Sequence, residues 1–551
     1  MNQEQPENQD QPAVKTSLAS ADTGLLQQLR WSFLPPLMVY LAAGISGLTA
    51  IVGTFFVKDY LGLSATFLAG LSFWAGIPWA LKMPLGHFVD LIWRWKFILV
   101  YVGASLITLS ILIMYGLITH TDQMMTYMGV EAWFVTSALL APVGYVVQDV
   151  VADAMTVEAV PAKDDNGVEY SERQSKAMHT TMQTLGRFAI ISGFVFVAVL
   201  NIIMFSGVET MSQIEKTQIY SKIYLVALAI PLVSITGVML GQMLLRNRIH
   251  ALLEQGMDKD QIETTLLQST EKTEPNWWIF GGSAVFVVFT LFMGLGDFAF
   301  GQEIIFTGSM VIVMFIMSRL IRELEPDAAR ALVGTAIIIF TFRATPSPGA
   351  GAIWFEIDIL GFDQQFLSVL SLLTSGLALL GMVVLRPLMA TKSIAFIIVF
   401  LTITAGFLSL PNIGLYYGLH NWASAWSGGI IDARFIAILD TAIESPLGQI
   451  AMIPMLAWIA KNAPANLKAT FFAVMASFTN LALSASSLAT KYLNKIFIVT
   501  REVKDRTTGE IITQADYSEL GLLLITATLI IVIVPLAAVA LIQGSRFKAR
   551  Q

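Results

Sequence analysis

Long uncharged apolar runs limit what this chain can fold into more than any other feature. Several of them approach or exceed the roughly 20 residues that span a bilayer core, over 97–118, 188–205, 394–410 and 521–542. Hydrophobic residues make up 55% of the 551 residues and charged residues only 13%, about half the share in soluble proteins. Because lipid leaves only helices and closed barrels with a satisfied backbone, and barrel-type alternation is absent, the sequence predicts an all-α integral membrane protein.

Apolar runs separated by polar, proline and glycine breakers predict about fourteen transmembrane helices. They lie near 34–57, 65–86, 97–118, 130–156, 181–205 and 223–245, and then near 277–296, 302–322, 331–353, 364–386, 393–411, 430–460, 468–490 and 518–543. We therefore expect an N-terminal tail over 1–33, a six-helix half over 34–245, a central loop over 246–276, an inserted two-helix pair over 277–326, a second six-helix half over 327–543 and a tail over 544–551.

The distribution of basic residues predicts the orientation. With the N-terminus inside, most of the 33 Lys and Arg residues fall in cytoplasmic segments, as expected because positive flanks resist translocation. Both termini are then cytoplasmic. The loop over 491–518 is external, with 497–500 and 511–513 predicted as the strands of a β-hairpin. Short loops and the lack of a cleaved signal peptide indicate the cytoplasmic (inner) membrane of a bacterium.

An internal repeat divides the chain into two halves. Segments 55–72 (FFVKDYLGLSATFLAGLS) and 354–371 (WFEIDILGFDQQFLSVLS) are identical at eight of 18 positions at an offset of 299, and Asp59 matches Asp358. An even number of predicted spans separates the copies, so the repeat is parallel, as in the major facilitator fold. The pair at 277–326 has no counterpart and is expected to be an insertion between the halves.

The residue patterns that catalysis and cofactor binding require do not occur in this sequence. The chain has no cysteine, and its five histidines are scattered singly, so no metal site is expected. No phosphate-binding loop, dinucleotide fingerprint or Ser/His/Asp set occurs in a credible context, so we expect no catalytic residues, no cofactor and no enzyme activity. The expected partners are a small-molecule solute, the lipid bilayer and protons, with no nucleic acid.

Four charged residues lie toward the cytoplasmic ends of the predicted N-terminal spans, where charge is costly and therefore indicates function. They are Lys82, Asp149, Asp153 and Arg187. Asp149 and Asp153 lie one helical turn apart and would repel each other unless paired, while the two cations bring the formal charge to zero. Two interpretations stay open: a substrate or proton-coupling site, and a charge lock that holds the helices together.

A gating motif is predicted between the second and third spans. Gly86, Asp90 and Arg94 match the glycine, the aspartate and a basic position of the cytoplasmic signature of major facilitator proteins. The glycine allows close helix approach, and the aspartate can cap a neighbouring helix end or pair with a cation. The expected role of the motif is a conformational latch that does not contact the solute.

The predicted site residues of the C-terminal half are Arg343, Asp440 and Glu444. Arg343 lies about 13 residues into its span, roughly 19 Å along the helix and near the midplane. The segment 345–349 (TPSPG) then breaks the helix and frees backbone groups. A cation beside a broken helix predicts an anion site. The alternative is that Arg343 extends to the interface or pairs with Asp440 or Glu444.

Several of these segments together resemble the folate-biopterin transporter family of the major facilitator superfamily. The resemblance is carried by 61–64 (LGLS), 78–86 (PWALKMPLG), 148–154 (QDVVADA), 344–347 (ATPS), 447–451 (LGQIA), 469–473 (ATFFA) and 477–480 (SFTN). It covers both halves in order, but neither the inserted pair nor the long hairpin loop.

This resemblance implies secondary active transport of folates or related pterins by alternating access, with protons as the coupling ion. Arg343, Arg187 or Lys82 facing a cavity would suit the carboxylates of such solutes. Three other hypotheses stay open: a permease of the same fold for a different solute such as a cell-wall fragment, a membrane receptor or assembly factor that binds without transporting, and an intramembrane enzyme, for which the spans lack a nucleophilic or metal-binding constellation.

Overall fold

Helices form most of the described chain. The computed structural model describes residues 30–548, except 161–171, 259–280, 386–391, 448–467, 505–509 and short gaps at 62, 81, 255, 282–284, 286–287, 290–291, 294–297, 299 and 323. The first half contains α1 (Leu34–Ile45), α2 (Ala50–Tyr60), α3 (Ala65–Ala80), α4 (Lys82–Leu91), α5 (Phe97–Thr119), α6 (Thr121–Met125), α7 (Val130–Ala159), α8 (Glu172–Met204), α9 (Gln213–Ala227) and α10 (Ala229–Glu254).

The rest of the chain contains the inserted helix α11 and the second half. The elements are α11 (Gly301–Ile321), α12 (Pro326–Arg343), α13 (Ala350–Asp358), α14 (Gln364–Val384), α15 (Ile394–Tyr416), α16 (Leu419–Ser427), α17 (Ala433–Glu444), α18 (Lys468–Ile496), strands β1 (Val503–Lys504) and β2 (Ile511–Thr513), and α19 (Leu520–Gln543). We call the end of the bundle that carries β1, β2 and residues 58–63 the hairpin face, and the end that carries residues 91–96 the opposite face.

Within the described ranges, nine helical segments are long and apolar enough to cross a membrane. Four other predicted spans, at 65–86, 331–353, 430–460 and 468–490, are not among them, and the span at 277–296 lies largely outside the described residues. The predicted span at 331–353 is broken between α12 and α13, and α18 carries a polar stripe.

The predicted continuous helix over 430–460 was wrong. Helix α17 ends at Glu444, and Ser445–Leu447 form a 3₁₀ turn. Proline at position 446 lacks the N–H that a continuing helix requires, which explains the end of α17. Residues 448–467 of the predicted span lie outside the described residues.

At the end of the first half, α10 continues to Glu254, beyond the predicted end at 245.

Glycine permits close packing of α1 against α8. A methyl group added at Gly44 would overlap the backbone carbonyl of Ile190, and one added at Gly193 would overlap the backbone of Gly44. Helix α1 is followed by a 3₁₀ turn over Ser46–Thr49, where Gly47 faces open space instead. Gly44 therefore serves the close helix packing that its sequence position suggests, whereas Gly47 does not.

The inserted helix α11 joins the two halves. Gln302 donates a hydrogen bond from Nε2 to the carbonyl of Gly70 on α3 at 3.2 Å. Lys491 of α18 donates to the Gln302 side chain at 2.9 Å and pairs with Glu303 at 2.8 Å, while Tyr492 donates to Glu303 at 2.7 Å. Since α3 belongs to the first half and α18 to the second, the insertion contacts both where they pack together.

The predicted β-hairpin is present, with a different first strand. β1 and β2 pair antiparallel, and an isolated bridge joins Thr500 to Asp516. The first strand lies at Val503–Lys504 and not at 497–500, because α18 continues to Ile496 and leaves too few residues to pair before the bridge. The turn over 505–509 lies outside the described residues.

Candidate functional site

Lys82 holds together the charged cluster of the first half. It lies on α4, and its ammonium group pairs with Asp149 at 2.5 Å and with Asp153 at 2.7 Å. Both carboxylates project from α7, and Asp153 also accepts a hydrogen bond from the Tyr40 hydroxyl at 2.5 Å. The repulsion expected between two carboxylates one turn apart is therefore offset by a shared cation.

Arg187 does not complete this cluster in the way the sequence suggested. No ion pair within 4.0 Å involves its exposed guanidinium in the described part of the chain, although it lies within electrostatic range of Asp149. It also lies within electrostatic range of Arg343, which projects from the other half. Arg187 thus interacts electrostatically with both the acidic cluster of the first half and the Arg343 cation of the second.

The gating motif lies in a helix and not in a loop. Helix α4 includes Gly86 and Asp90, and a 3₁₀ turn over Trp93–Trp95 includes Arg94. A methyl group added at Gly86 would meet no described atom within 4 Å, and the close helix approach stays a prediction. The side chains of Asp90 and Arg94 lie outside the described residues, and the latch role stays a prediction.

Arg343 lies beside a break in the first span of the second half, between α12 and α13. Arg343 is the last residue of α12, the backbone is irregular until Gly349 adopts a positive φ of 78°, and α13 then begins. This break matches the one predicted from the TPSPG segment. Because the chain runs from α12 into α13 through it, Arg343 lies about midway along the broken span.

A polar stripe on α18 satisfies the backbone groups that the break frees. Ser486 donates to the carbonyl of Thr345 at 2.7 Å, the N–H of Ser347 donates to Thr490 Oγ1 at 3.0 Å, and Asn494 Nδ2 donates to the carbonyl of Pro348 at 3.1 Å. The stripe consists of Ser486, Thr490 and Asn494, which are spaced four residues apart and so share one helix face. The broken segment is therefore held by defined hydrogen bonds.

The guanidinium of Arg343 lacks a described partner of opposite charge. Its Nε is buried and makes no hydrogen bond with any described residue. The alternative pairing with Asp440 or Glu444 is not seen among the described ion pairs. A buried donor without an acceptor is costly, and a guanidinium binds carboxylates through paired N–H groups. Arg343 and Arg187 together are thus suited to bind an anion between the halves.

The acidic residues of the second half include one that the sequence analysis missed. Asp440 on α17 is 8% exposed, and Asn412 donates to its Oδ2 at 3.1 Å. Its Oδ1 is buried without a hydrogen-bond partner among the described residues. Glu356 on α13 lies within electrostatic range of Asp440, as does Glu444 one turn further along α17.

An ion pair closes the hairpin face between the halves. Lys58 at the end of α2 pairs with Asp358 at the end of α13. Asp358 also accepts a hydrogen bond from the Tyr517 hydroxyl at 2.5 Å and from the backbone N–H of Glu502 at 3.4 Å. Of the ion pairs that the described residues form, Lys58–Asp358 is the one that links the two repeated halves.

Arg501, from the segment that precedes the hairpin, seals the same region. It is 4% exposed, donates from Nε to the carbonyl of Lys58 at 3.0 Å and from Nη1 to the carbonyl of Leu63 at 2.5 Å, and its guanidinium lies 4.9 Å from the centre of the Trp354 ring. Burial lowers the pKa of Arg501, but a guanidinium stays charged at physiological pH. Burial and the bond to Asp358 raise the pKa of Tyr517, which keeps its phenol protonated as a donor.

A cavity of about 220 Å³ lies inside the first half, beside the 3₁₀ turn that follows α1. Its lining includes the hydroxyl groups of Ser46, Thr49, Ser110 and Ser137 and no charged side chain. The hydroxyls of Ser110 and Ser137 lie 2.9 Å apart and also bind each other's carbonyl groups. These groups satisfy one another, so this cavity has no feature that selects an anion.

The comparisons with known proteins cover nearly the whole chain. The sequence profile of the BT1 family matches residues 43–549. A protein of Synechocystis sp. described as a folate-biopterin transporter is 23% identical over 471 residues, which cover 84% of this chain and 75% of the relative. The range matched by the family profile spans both halves and also includes the inserted helix α11 and the hairpin.

Solved transporter structures share the fold. A POT family transporter in complex with 5-aminolevulinic acid superposes with a TM-score of 0.60 at 11% identity, over 94% of this chain and 96% of the other. The nucleoside transporter NupG gives a TM-score of 0.51 at 11% identity, over 93% and 99%. At this identity the likeness concerns the fold alone, and it confirms the helical major facilitator architecture predicted from the repeat.

Proposed function

The chain belongs to the BT1 family of membrane transporters, and from this premise we propose that it is a secondary active transporter for a small anionic, aromatic solute of the folate or pterin class. The folate-biopterin description of the Synechocystis relative supports the solute class. The observation that carries the proposal is Arg343, a cation midway along a broken span whose buried Nε has no partner among the described residues.

The electrostatics of the two halves favour an anion between them. In the first half, Lys82 pairs with both carboxylates of α7 and reduces their combined charge from −2 to −1, while the exposed Arg187 lies within electrostatic range of Arg343. Two cations that repel each other become favourable once an anion binds between them. A dicarboxylate tail can engage one guanidinium from each half.

We propose that the transporter alternates between a state closed at the hairpin face and a state closed at the opposite face. The Lys58–Asp358 pair, with Arg501 beside it, closes the hairpin face in this state, and a rocking motion of the halves that separates Lys58 from Asp358 opens it. We propose that both termini are cytoplasmic, that the hairpin is external and that the protein resides in a bacterial cytoplasmic membrane, with protons as the coupling ion.

A binding experiment tests the anion site. Titration of the purified protein with folate, and with a pterin that lacks the glutamate carboxylates, should show tighter binding of folate. Arg343→Gln should weaken folate binding at least tenfold, a loss of about 1.4 kcal/mol, and change pterin binding less. Arg330→Gln is the matched control, because Arg330 lies on the same helix with half of its side chain exposed and should leave both affinities unchanged.

Uptake into proteoliposomes separates the transporter from its alternatives. Accumulation of labelled folate under an inward proton gradient supports the proposal. Folate binding without accumulation by the intact protein would favour the receptor hypothesis. If folate does not bind and another solute stabilises the protein in a thermal screen, the result would favour a permease of the same fold for that solute.

A further inference from the structure

The inserted helix α11 lies where the two halves pack against each other. Helix α3 of the first half and α18 of the second form this seam, and Asn480 on α18 donates a hydrogen bond to the carbonyl of Trp79 on α3 at 3.1 Å. Phe73, Ile305 and Leu488, one from each of the three helices, belong to one buried apolar cluster. The insertion is therefore packed on both halves.

A single side chain of α11 bonds to both halves. Gln302 donates from Nε2 to the carbonyl of Gly70 on α3 at 3.2 Å, and its Oε1 accepts a hydrogen bond from Lys491 Nζ on α18 at 2.9 Å. Glycine allows this approach, because a methyl group added at Gly70 would lie only 3.1 Å from the Gln302 nitrogen. Since one side chain cannot follow two helices that move apart, separation of α3 from α18 breaks one of these two bonds.

The contacts of α11 with α18 are the stronger ones. Glu303, in the first turn of α11, pairs with Lys491 at 2.8 Å, and its Oε1 also accepts from the Tyr492 hydroxyl at 2.7 Å. A hydrogen bond to a charged group is about twice as strong as one between neutral groups, such as the bond from Gln302 to Gly70. Helix α11 is thus anchored on the second half, and the bond to Gly70 is the one that separation breaks.

These contacts lie at the end of the seam that is nearest the hairpin face. Gly70 is near the start of α3, just after residues 58–63 of that face, and Lys491 is near the end of α18, just before the hairpin. A rocking motion that opens the hairpin face pulls α3 and α18 apart at this end. We propose that α11 is a clamp that holds the hairpin face closed, and that the Gln302–Gly70 bond is released when this face opens.

The clamp acts at a different point from the ion pair described above. Lys58–Asp358 joins α2 to α13, whereas Gln302 bridges α3 and α18. Loss of either contact should therefore raise the population of the open state, and loss of both should raise it further. The proposal rests on the alternating access proposed above, since only a face that opens needs a clamp.

Labelling of a buried cysteine in the full-length protein tests the clamp without any solute. Because the chain contains no cysteine, Leu61→Cys supplies one thiol that is fully buried at the hairpin face. Gln302→Glu keeps the acceptor for Lys491 and removes the donor to Gly70. We expect maleimide to label this variant about fivefold faster than the parent, the factor that corresponds to one hydrogen bond of average net strength. Thr307→Ala, which removes only a hydrogen bond within α11, should label at the parent rate.

Two label distances test which half α11 follows. Val311→Cys places a spin label on an exposed position of α11, and Gln123→Cys and Ala425→Cys are exposed positions at the hairpin face of the first and the second half. In Gln302→Glu, the distance from 311 to 123 should lengthen relative to the parent, while the distance from 311 to 425 should stay the same. The reverse pattern would place the anchor on α3 and overturn the release of Gln302 from Gly70.

Each outcome of the labelling experiment bears on the clamp. Labelling of Gln302→Glu at the parent rate, or equal acceleration by Thr307→Ala, overturns the proposal. If Gln302→Glu fails to fold, Gln302→Leu removes both bonds, and faster labelling of that folded variant supports the clamp. A lower thermal midpoint with unchanged labelling would assign α11 to stability alone and overturn it.

Folate uptake separates the clamp from the proposed function. Uptake by the parent, with labelling of Gln302→Glu at the parent rate, removes only the clamp. Faster labelling of Gln302→Glu, in a protein that neither binds nor accumulates folate, supports the clamp and removes only the solute assignment.

Discussion

Lys58 forms ion pairs with both Asp59 and Asp358, two aspartates that occupy equivalent positions in the repeated halves. The oxygen of Asp59 lies 3.1 Å from the ammonium, and Asp358 reaches it from the other half. The position equivalent to Lys58 in the second half is Ile357, so only one half supplies the cation. The repeat thus places one aspartate of each half at the same lysine, which links the two halves.

Removing Asp358 should open the hairpin face. Asp358→Asn leaves Lys58 and Tyr517 without their shared partner, and breaking a buried pair costs up to about 3–5 kcal/mol. The closed state should therefore become less populated, which the maleimide labelling rate of Leu61→Cys, fully buried at this face, measures as an increase of at least tenfold. Asp59→Asn is the control, because Asp59 is more exposed and Lys58 keeps Asp358; its effect should be smaller.

A double variant tests whether the pair itself is responsible. Lys58→Met with Asp358→Leu replaces the ion pair with apolar groups of similar volume, which is often neutral or stabilising for a buried pair. Labelling of Leu61→Cys should return toward the slow rate of the parent. Fast labelling in this variant, equal to that of Asp358→Asn, would show that the gate does not depend on this contact.

The sequence predicted the parts of this structure that depend on local patterns. Apolar runs located the spans, the 299-residue offset located the halves, and the TPSPG segment located the break after Arg343. The pairing of Lys82 with the aspartates of α7 was also foreseen, because few charges exist inside the spans and they need partners.

Contacts between distant segments were not predictable in this way. Arg501 binds the carbonyl of Lys58 across 443 positions, and nothing in the polar loop around it indicates a buried residue. Glu356 lies just beyond the predicted span over 331–353, where a charge usually meets water, so the sequence did not mark it as a site residue. A search for polar residues spaced four apart would have found the stripe at Ser486, Thr490 and Asn494.

The stripe on α18 should control how Arg343 is held. Thr490→Val removes the acceptor of the Ser347 N–H while keeping the shape of the side chain, and the loss of this part-buried hydrogen bond costs about 0.5–1.5 kcal/mol. We expect a lower thermal midpoint and weaker folate binding, because the break that positions Arg343 loosens. Ser487→Ala, which removes only a hydrogen bond within α18, should leave folate affinity unchanged. Equal affinity losses in both variants would contradict a specific role for Thr490.

Gly44 and Gly47 should respond differently to the same substitution. Gly44→Ala places a methyl group against the backbone of Ile190 and forces α1 and α8 apart, which should destabilise the protein by about 1–3 kcal/mol. Gly47→Ala adds the methyl group in open space and should change stability by less than about 1 kcal/mol. Thermal unfolding followed by tryptophan fluorescence measures both, and a similar loss at the two positions would argue against close packing at Gly44 as the cause.

Lys82→Met decides between the two interpretations of the first-half cluster. It leaves Asp149 and Asp153 repelling each other on one face of α7. Since the three side chains are 25%, 13% and 45% exposed, we expect a loss of about 1–3 kcal/mol rather than the full cost of a buried pair. Adding Asp149→Asn removes one of the repelling charges and should restore part of the thermal midpoint. If the cluster is only a charge lock, the double variant should be stable and should keep proton-driven uptake. Restored stability with uptake that no longer depends on the proton gradient would instead assign proton coupling to Asp149.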